Sequence, residues 1–200
     1  MFIVFEGIDG SGKTTQAKLL YKHFLAHTST KTKCILTNEP TNGNIGKSVK
    51  SLIKKSSINP TAIQLLFMAD RAEHAAVIKE WIKKNKIIVC DRYYFSTIAY
   101  GHALGLSKNW LETVNSIFPK PDFTIILDVD PATALARVNS RKEPKQYFEK
   151  AKFLDKVRKE YKSLSKQYNN IFIIKCNERT TVSQIHTEVM EIISSMAPFV

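Results

Sequence analysis

Residues 2–24 read FIVFEGIDGSGKTTQAKLLYKHF. FIVF (2–5) is a short apolar run of the kind that forms a strand buried on both faces. It leads directly into Gly7-Ile8-Asp9-Gly10-Ser11-Gly12-Lys13-Thr14, a complete G-x-x-x-x-G-K-[ST] pattern. Ala17, Leu20, Tyr21 and Phe24 then recur with helical period. Strand, glycine-rich turn and helix are the context in which this pattern holds phosphate. The glycines let the backbone curl until successive N–H groups face the anion, and the helix N-terminus adds its positive dipole end. Lys13 is placed to reach the β- and γ-phosphates of a nucleoside triphosphate, and the Thr14 hydroxyl to ligand Mg²⁺. The expected ATP-binding set from this motif is Gly7, Ile8, Asp9, Gly10, Ser11, Gly12, Lys13, Thr14 and Thr15. From average residue usage, a chance match in a chain of this length has a probability of roughly one per cent.

Four further runs read as strands: CILT (34–37), IIVC (87–90), TIILDV (124–129) and IFIIK (171–175). Helical periodicity fills the stretches between them and returns near the C-terminus at Ile185, Val189, Ile192 and Ile193. Alternating strands and helices predict an α/β fold, a five-stranded parallel sheet flanked by helices in three layers. No repeat or Pro/Gly-rich linker divides the chain, so residues 1–200 are expected to form a single domain. In such sheets ligands bind beyond the carboxyl ends of the strands, which is where chemistry is sought.

The chain has 200 residues, 44% hydrophobic and 24% charged, with a formal charge of +12. That composition excludes disordered and collagenous classes and points to anionic partners. Most of the basic residues are Lys scattered along the chain, which reads as a solvated surface. Only six are Arg: Arg71, Arg92, Arg137, Arg141, Arg158 and Arg179. The rigid fork of Arg makes these better markers of a phosphate site. Cys34, Cys90 and Cys176 are too dispersed for a disulfide framework or a zinc site. The opening MFIVFEG lacks a basic n-region and is broken by Glu6, and no apolar run approaches the ~20 residues of a membrane span. The chain therefore reads as soluble, unprocessed and cytoplasmic, with no membrane partner.

The strand IIVC ends in Asp91-Arg92. Asp91 is placed to hold Mg²⁺, partly through water, and Arg92 to set a permanent charge in the crevice. The competing reading makes Asp91 a helix N-cap with Arg92 on the surface. Within LLFMADRAEHAAVI (65–78), Phe67, Arg71 and His74 share one helix face, so an aromatic plane and a guanidinium are available to clamp a base and a phosphate. The alternative puts Phe67 in the core and pairs Arg71 with Asp70 or Glu73. His74 reads as support for the helix, because phosphate attack needs no histidine base. The chain carries no N-K-x-D and no D-x-x-G switch beyond the P-loop, which a GTPase would want, and no acidic pair closing an apolar strand, as a motor ATPase would.

In order and over nearly the whole chain, FEGIDGSGKTTQ (5–16), NEP (38–40), LLFMADRAEH (65–74), DRYYFSTIAY (91–100), PKPDFTIILDVDP (119–131) and FLDKVRKEY (153–161) resemble the thymidylate kinase family. The resemblance implies a P-loop kinase fold with a mobile lid, and a homodimer that transfers the γ-phosphoryl of ATP to dTMP with Mg²⁺. It implies that Phe67 stacks on thymine, that Arg71 binds the base or acceptor phosphate, and that Arg92 holds that phosphate near the donor. Asp9 accepts from the 3′-hydroxyl, Ser96 and Thr97 face the base edge, Tyr100 crowds a 2′-hydroxyl, and Glu39 organises the Mg²⁺ and acceptor side. The expected catalytic set is Lys13, Arg92, Arg141 and Asp91. Some members carry an Arg where this chain has Gly10, and members without it supply the charge from the lid. Here Arg137, Arg141, Lys142 and Lys145 in a lid at about 137–149 fit that role, with Arg137 also expected on ATP. Gln146-Tyr147 and Pro144 depart from the family's lid pattern, and Gly101 replaces a Gln of many bacterial members.

Two other functions remain open at this level. The same fold also suits another acceptor: a deoxynucleoside, a different nucleoside monophosphate, or dUMP beside dTMP. A nucleic-acid-binding protein using its P-loop as a switch is the other, although the chain has no nucleic-acid-binding signature and its basic residues form no stripe. The expected partners are therefore ATP and dTMP, and not nucleic acid.

Overall fold

A computed structural model describes residues 1–27, 33–54, 59–140, 148 and 150–196. Five parallel strands, β1 (Phe2–Glu6), β2 (Cys34–Asn38), β3 (Ile87–Asp91), β4 (Phe123–Val129) and β5 (Ile171–Cys176), pair in the order β2-β3-β1-β4-β5. Every residue of β1 and β4 is buried. That is why both read as near-continuous apolar runs rather than as alternating ones, with Glu6, Thr124 and Asp128 as buried polar exceptions.

Among the described residues eight helices connect and flank the strands: α1 (Lys13–His27), α2 (Asn44–Leu52), α3 (Pro60–Lys83), α4 (Tyr94–Ala103), α5 (Lys108–Asn115), α6 (Pro131–Asn139), α7 (Ala151–Ser165) and α8 (Val182–Met196). From β1 the chain steps to the β2 edge, and every later crossover steps the opposite way across the sheet. Right-handed crossovers therefore put α1 on one face and α3, α4 and α7 on the other. The terminal α8 returns to the α1 side, where Gln16 Nε2 donates to the Val182 carbonyl at 2.9 Å. The sheet is thus a middle layer between two helical ones, and β1 at its centre delivers the glycine-rich loop to the crevice.

Several helix starts are written locally. Asn59 accepts from Ala62 N (2.9 Å) ahead of Pro60, and Asp130 accepts from Thr133 N (2.9 Å) ahead of Pro131. The start of α4 has no such local cap at Tyr93. Of the segment expected as the lid, Arg137 to Ser140 end α6, and Phe148 is buried. Arg141, Lys142, Pro144, Lys145, Gln146, Tyr147 and Glu149 lie outside the described residues.

The Asp130 cap carries a stability prediction. Its hydrogen bond to Thr133 holds the carboxyl below the usual carboxylate range. A depressed acid stabilises the fold above its unfolded pKa and loses that contribution as pH falls through the folded value. Asp130→Ala should lower the unfolding free energy by about 1 kcal/mol at neutral pH, with the deficit shrinking below about pH 4. Urea denaturation measures it, and an unchanged midpoint at pH 7 would contradict the assignment.

Candidate active site

The glycine-rich loop turns under β4 and α6. Gly10 has φ +82, and a Cβ there would lie 2.2 Å from the Ala134 carbonyl oxygen. No side chain fits at that position in this packing, which accounts physically for the missing Arg. At the start of α1, Lys13 is buried and folds back over the loop, donating to the Ile8 carbonyl at 2.8 Å and to Ser11 Oγ at 3.4 Å. Burial, reinforced by the positive charge of Arg92, pushes the Lys13 pKa down to about 8 against the pull of Asp9, Asp91 and Glu6.

Thr14 Oγ1 donates to Asp91 Oδ2 across the crevice. Asp91 Oδ1 is buried with no partner among the described residues. An unpartnered carboxylate oxygen beside a hydroxyl suits a hard, hydrated cation that takes one or two protein oxygens and completes its shell with water and phosphate. Among the described residues no cluster of three or more His, Cys, Asp or Glu suggests a metal held by protein alone. The N-cap reading of Asp91 is thereby set aside.

Arg92 is not on the surface either. Its backbone is left-handed, with φ +71, and its N–H donates to the Phe5 carbonyl at 2.9 Å. The guanidinium donates to Asp9 Oδ1 (2.5 Å), Ser96 Oγ (3.0 Å) and the Gly7 carbonyl (3.1 Å), and lies 5.3 Å from the Tyr100 ring centroid. Burial alone would raise the Asp9 pKa, but the charges of Arg92 and Lys13 outweigh it and hold the carboxyl below its ordinary value.

Beneath this pair sits Glu6, fully buried at the end of β1. Its Oε1 accepts from Tyr93 N (2.9 Å) and Ser96 N (3.0 Å), the orphan amides at the start of α4. Its Oε2 accepts from Ser96 Oγ (2.5 Å) and from Tyr161 of α7 (2.8 Å). A residue from another strand therefore supplies the cap that α4 lacks locally.

Two cavities open above the strand ends. One, of about 410 Å³, is lined by Gly10, Gly12, Lys13, Thr14, Thr15, Glu39 and Asp91. The other, of about 350 Å³, is lined by Phe67, Ser96, Thr97, Tyr100, Gln64 and Phe148. Asp9 and Arg92 line both and form the seam between them. Phe148 packs edge-on against Tyr100 with centroids 5.5 Å apart.

Three expected positions differ. Arg71 lines neither cavity: it is 1% exposed, with Nε on Glu39 Oε2 (2.8 Å) and Nη1 on Thr97 Oγ1 (2.8 Å) and Asn115 Oδ1 (2.7 Å). It pairs with Glu39 rather than with Asp70 or Glu73, and Asp70 instead accepts from Thr41. Glu39 lines the P-loop cavity and not the one with Phe67, because Arg71 takes one of its oxygens and His74 Nδ1, at 2.9 Å, the other. Arg137 lines neither cavity and donates to the Asn177 carbonyl at 3.2 Å. Sequence reasoning gave no role to Glu6, Tyr161, Asn115 or Gln64. A carboxylate at the end of a buried strand was the available signal for Glu6.

A sequence model described as thymidylate kinase matches residues 5–189. The chain is 42% identical over 191 residues to the probable thymidylate kinase of Methanocaldococcus jannaschii, covering 95% of this chain and 94% of that protein. The chain belongs to the thymidylate kinase family. The probable thymidylate kinase of Sulfolobus acidocaldarius is also 42% identical, over 98% of this chain and 97% of that protein. The crystal structure of the Ehrlichia chaffeensis thymidylate kinase superposes with a TM-score of 0.79 at 30% identity, over 97% of this chain and 98% of that one. That of Candida albicans, described as having broad substrate specificity, gives 0.80 at 28% identity over 96% and 90%. The sheet and its flanking helices are the P-loop kinase fold, and as a thymidylate kinase the chain is an ATP-dependent phosphotransferase.

The depressed Lys13 pKa sets a pH dependence. Its ammonium is lost in the free enzyme as pH rises through about 8. The kcat/KM for ATP, which reports free-enzyme groups, should fall above that pH. The kcat should hold to higher pH, because bound phosphates favour the charged lysine. Initial-rate profiles from pH 6 to 10 at constant ionic strength test this, and a kcat/KM that stays level to pH 10 would refute it.

Proposed function

We propose that the protein transfers the γ-phosphoryl of ATP to dTMP, giving dTDP and ADP for dTTP synthesis, in the cytoplasm and as a single kinase domain. The observation that carries this reading is the shared seam: a P-loop cavity and an aromatic-walled cavity meet at Asp9 and Arg92. ATP belongs in the first and dTMP in the second. No helix among the described residues is long and apolar enough to cross a membrane.

The acceptor phosphate is already an anion near neutral pH, so no general base has to make the nucleophile. The protein's work is positioning and charge stabilisation. Phe67 supplies a face for the base, Ser96 and Thr97 border its edge, and Tyr100 stands where a 2′-hydroxyl would project. Asp9 accepts from the 3′-hydroxyl, and Arg92 presents its guanidinium to the acceptor phosphate. Lys13 exchanges the Ile8 carbonyl for β- and γ-phosphate oxygens. Thr14 and Asp91 would hold Mg²⁺, partly through water, and the ion would supply neutralisation of phosphate charge. Arg71 and Glu39 act as positioning residues, fixing Thr97 and the α3 to β2 junction. On sequence grounds alone, Arg141 supplies charge to the transferred group. Fixed positive groups around charge spreading over phosphoryl oxygens are where such a site gains its rate.

A second copy of the chain is the proposed protein partner. Leu65, Ala69, Ala72 and Ala76 form a stripe along α3 that exposes Leu65 at 49%. His74, Ala75 and Ile78 of the same helix go into the core, so only part of AEHAAVI (72–78) is available for pairing. Light scattering should give twice the chain mass of 22.8 kDa. A Leu65→Asp variant should run as a monomer, and a monomeric native protein would overturn the dimer.

Lys13→Ala and Arg92→Ala should each lower turnover by about 100- to 1,000-fold with the fold retained, read by coupled ADP release with dTMP and by far-UV circular dichroism. Near-native turnover in either variant would overturn the assignment. The same assay across dTMP, dUMP, dCMP, dGMP and thymidine should give the highest kcat/KM for dTMP. Preference for a nucleoside over every monophosphate would move the chain to a different acceptor class.

A further inference from the structure

Gln64 lies on the same face of α3 as Phe67 and Arg71, at i, i+3 and i+7. It is 0% exposed and borders the Phe67 cavity, yet neither Nε2 nor Oε1 has a partner among the described residues. A carboxamide brings two donors and an acceptor with two lone pairs, and buried amides are nearly always paired. Left as it is, this one forfeits its hydrogen bonds to water and receives nothing in return.

The neighbours explain how it comes to be there. A Cβ on Gly101 of α4 would stand 2.9 Å from both Leu111 methyl carbons and 3.4 Å from Gln64 Cγ. Leu111 of α5 fills the space a Gly101 side chain would take, and the Gln64 stem lies at contact distance beside it. Thr97, one turn before Gly101, borders the same cavity and accepts from Arg71 Nη1 at 2.8 Å. Gln64 therefore sits where a flat base lying on Phe67 would present its edge.

We infer that Gln64 reads the acceptor's base: its carboxamide pairs in plane with the pyrimidine imide, Oε1 accepting from N3–H and Nε2 donating to O4. The inference rests on the assignment of the Phe67 cavity to dTMP. The terminal torsion of Gln is broad and soft, so the amide swings into the cavity when a base arrives. Docking then pairs two groups that are buried unpaired in the empty site. A cavity filler and a base reader make opposite predictions for an isosteric apolar replacement. The filler tolerates it without loss of binding, whereas the reader loses binding without loss of stability.

The test is Gln64→Met, which keeps an unbranched side chain of similar length and removes the amide. Its KM for dTMP should rise about 10- to 100-fold, with the KM for ATP unchanged and the melting temperature equal to or above that of the native protein. The native enzyme should discriminate strongly against N3-methyl-dTMP, and that ratio of kcat/KM values should collapse in the variant. Native protein that uses N3-methyl-dTMP as well as dTMP overturns the inference whether or not the variant folds. Phe67→Ala separates the two levels of the claim. If it raises the KM for dTMP while Gln64→Met does not, the role of Gln64 fails and the cavity assignment stands. If neither variant changes that KM, the cavity assignment fails and the inference goes with it.

Discussion

Arg92 occupies a backbone conformation that costs a non-glycine residue about 1–2 kcal/mol, and the rest of the site depends on its being held there. Its N–H extends the β1–β3 ladder to the Phe5 carbonyl, and its guanidinium is tied to Asp9, the Gly7 carbonyl and Ser96. Those anchors belong to the strand that carries the P-loop, the loop itself and the helix after β3. The turn that costs backbone energy is the one that points a permanent charge at the seam between the two cavities. A charge fixed in advance and partly shielded from water needs no reorganisation when phosphoryl charge develops.

Glu6 makes that arrangement rigid. Burial drives its carboxyl towards the neutral form, and the charge of Arg92 and four donated hydrogen bonds oppose this. Ionised or not, it is the element common to β1, the start of α4 and Tyr161 of α7. On the other side of the crevice, Glu39 plays a similar part between Arg71 and His74, and His74 continues to Thr37 at 2.8 Å. The two buried carboxylates thus brace α4 and α3 against the sheet. The rings of Tyr93 and Phe118, 5.3 and 5.8 Å from the Arg71 guanidinium, enclose the second brace.

Strands and loop were legible in the sequence because their signals are local. FIVF, IIVC and TIILDV carry their burial in their own composition, the equally apolar CILT and IFIIK form the half-buried edges of the sheet, and the G-x-x-x-x-G-K-[ST] spacing carries its own geometry. The lining of the P-loop cavity was legible where a residue type stands at a motif position, as with Lys13, Thr14, Asp91 and Arg92. The site was not legible where the answer depended on a distant partner. Arg71 was expected to reach ligand, but Glu39, Thr97 and Asn115 occupy its donors from three other segments. Tyr161 meets Glu6 from 155 residues away. Gln64 carried no motif, and only the folded chain brings it beside Phe67 and Thr97 at one cavity. The net charge of +12 proved a weak guide, since Lys13 and Arg92 line the cavities while most of the lysines are spread along the chain.

The central claim is that the two cavities are halves of one site joined at Asp9 and Arg92. Isothermal titration with adenosine and thymidine joined 5′ to 5′ through a chain of five phosphates tests it directly. One molecule should bind per chain, and should compete with both ATP and dTMP. Its affinity should exceed that of either nucleotide alone by at least about 100-fold, the lower range of gain from linking two ligands at adjoining sites. Binding no tighter than ATP, or failure to displace dTMP, would contradict the account.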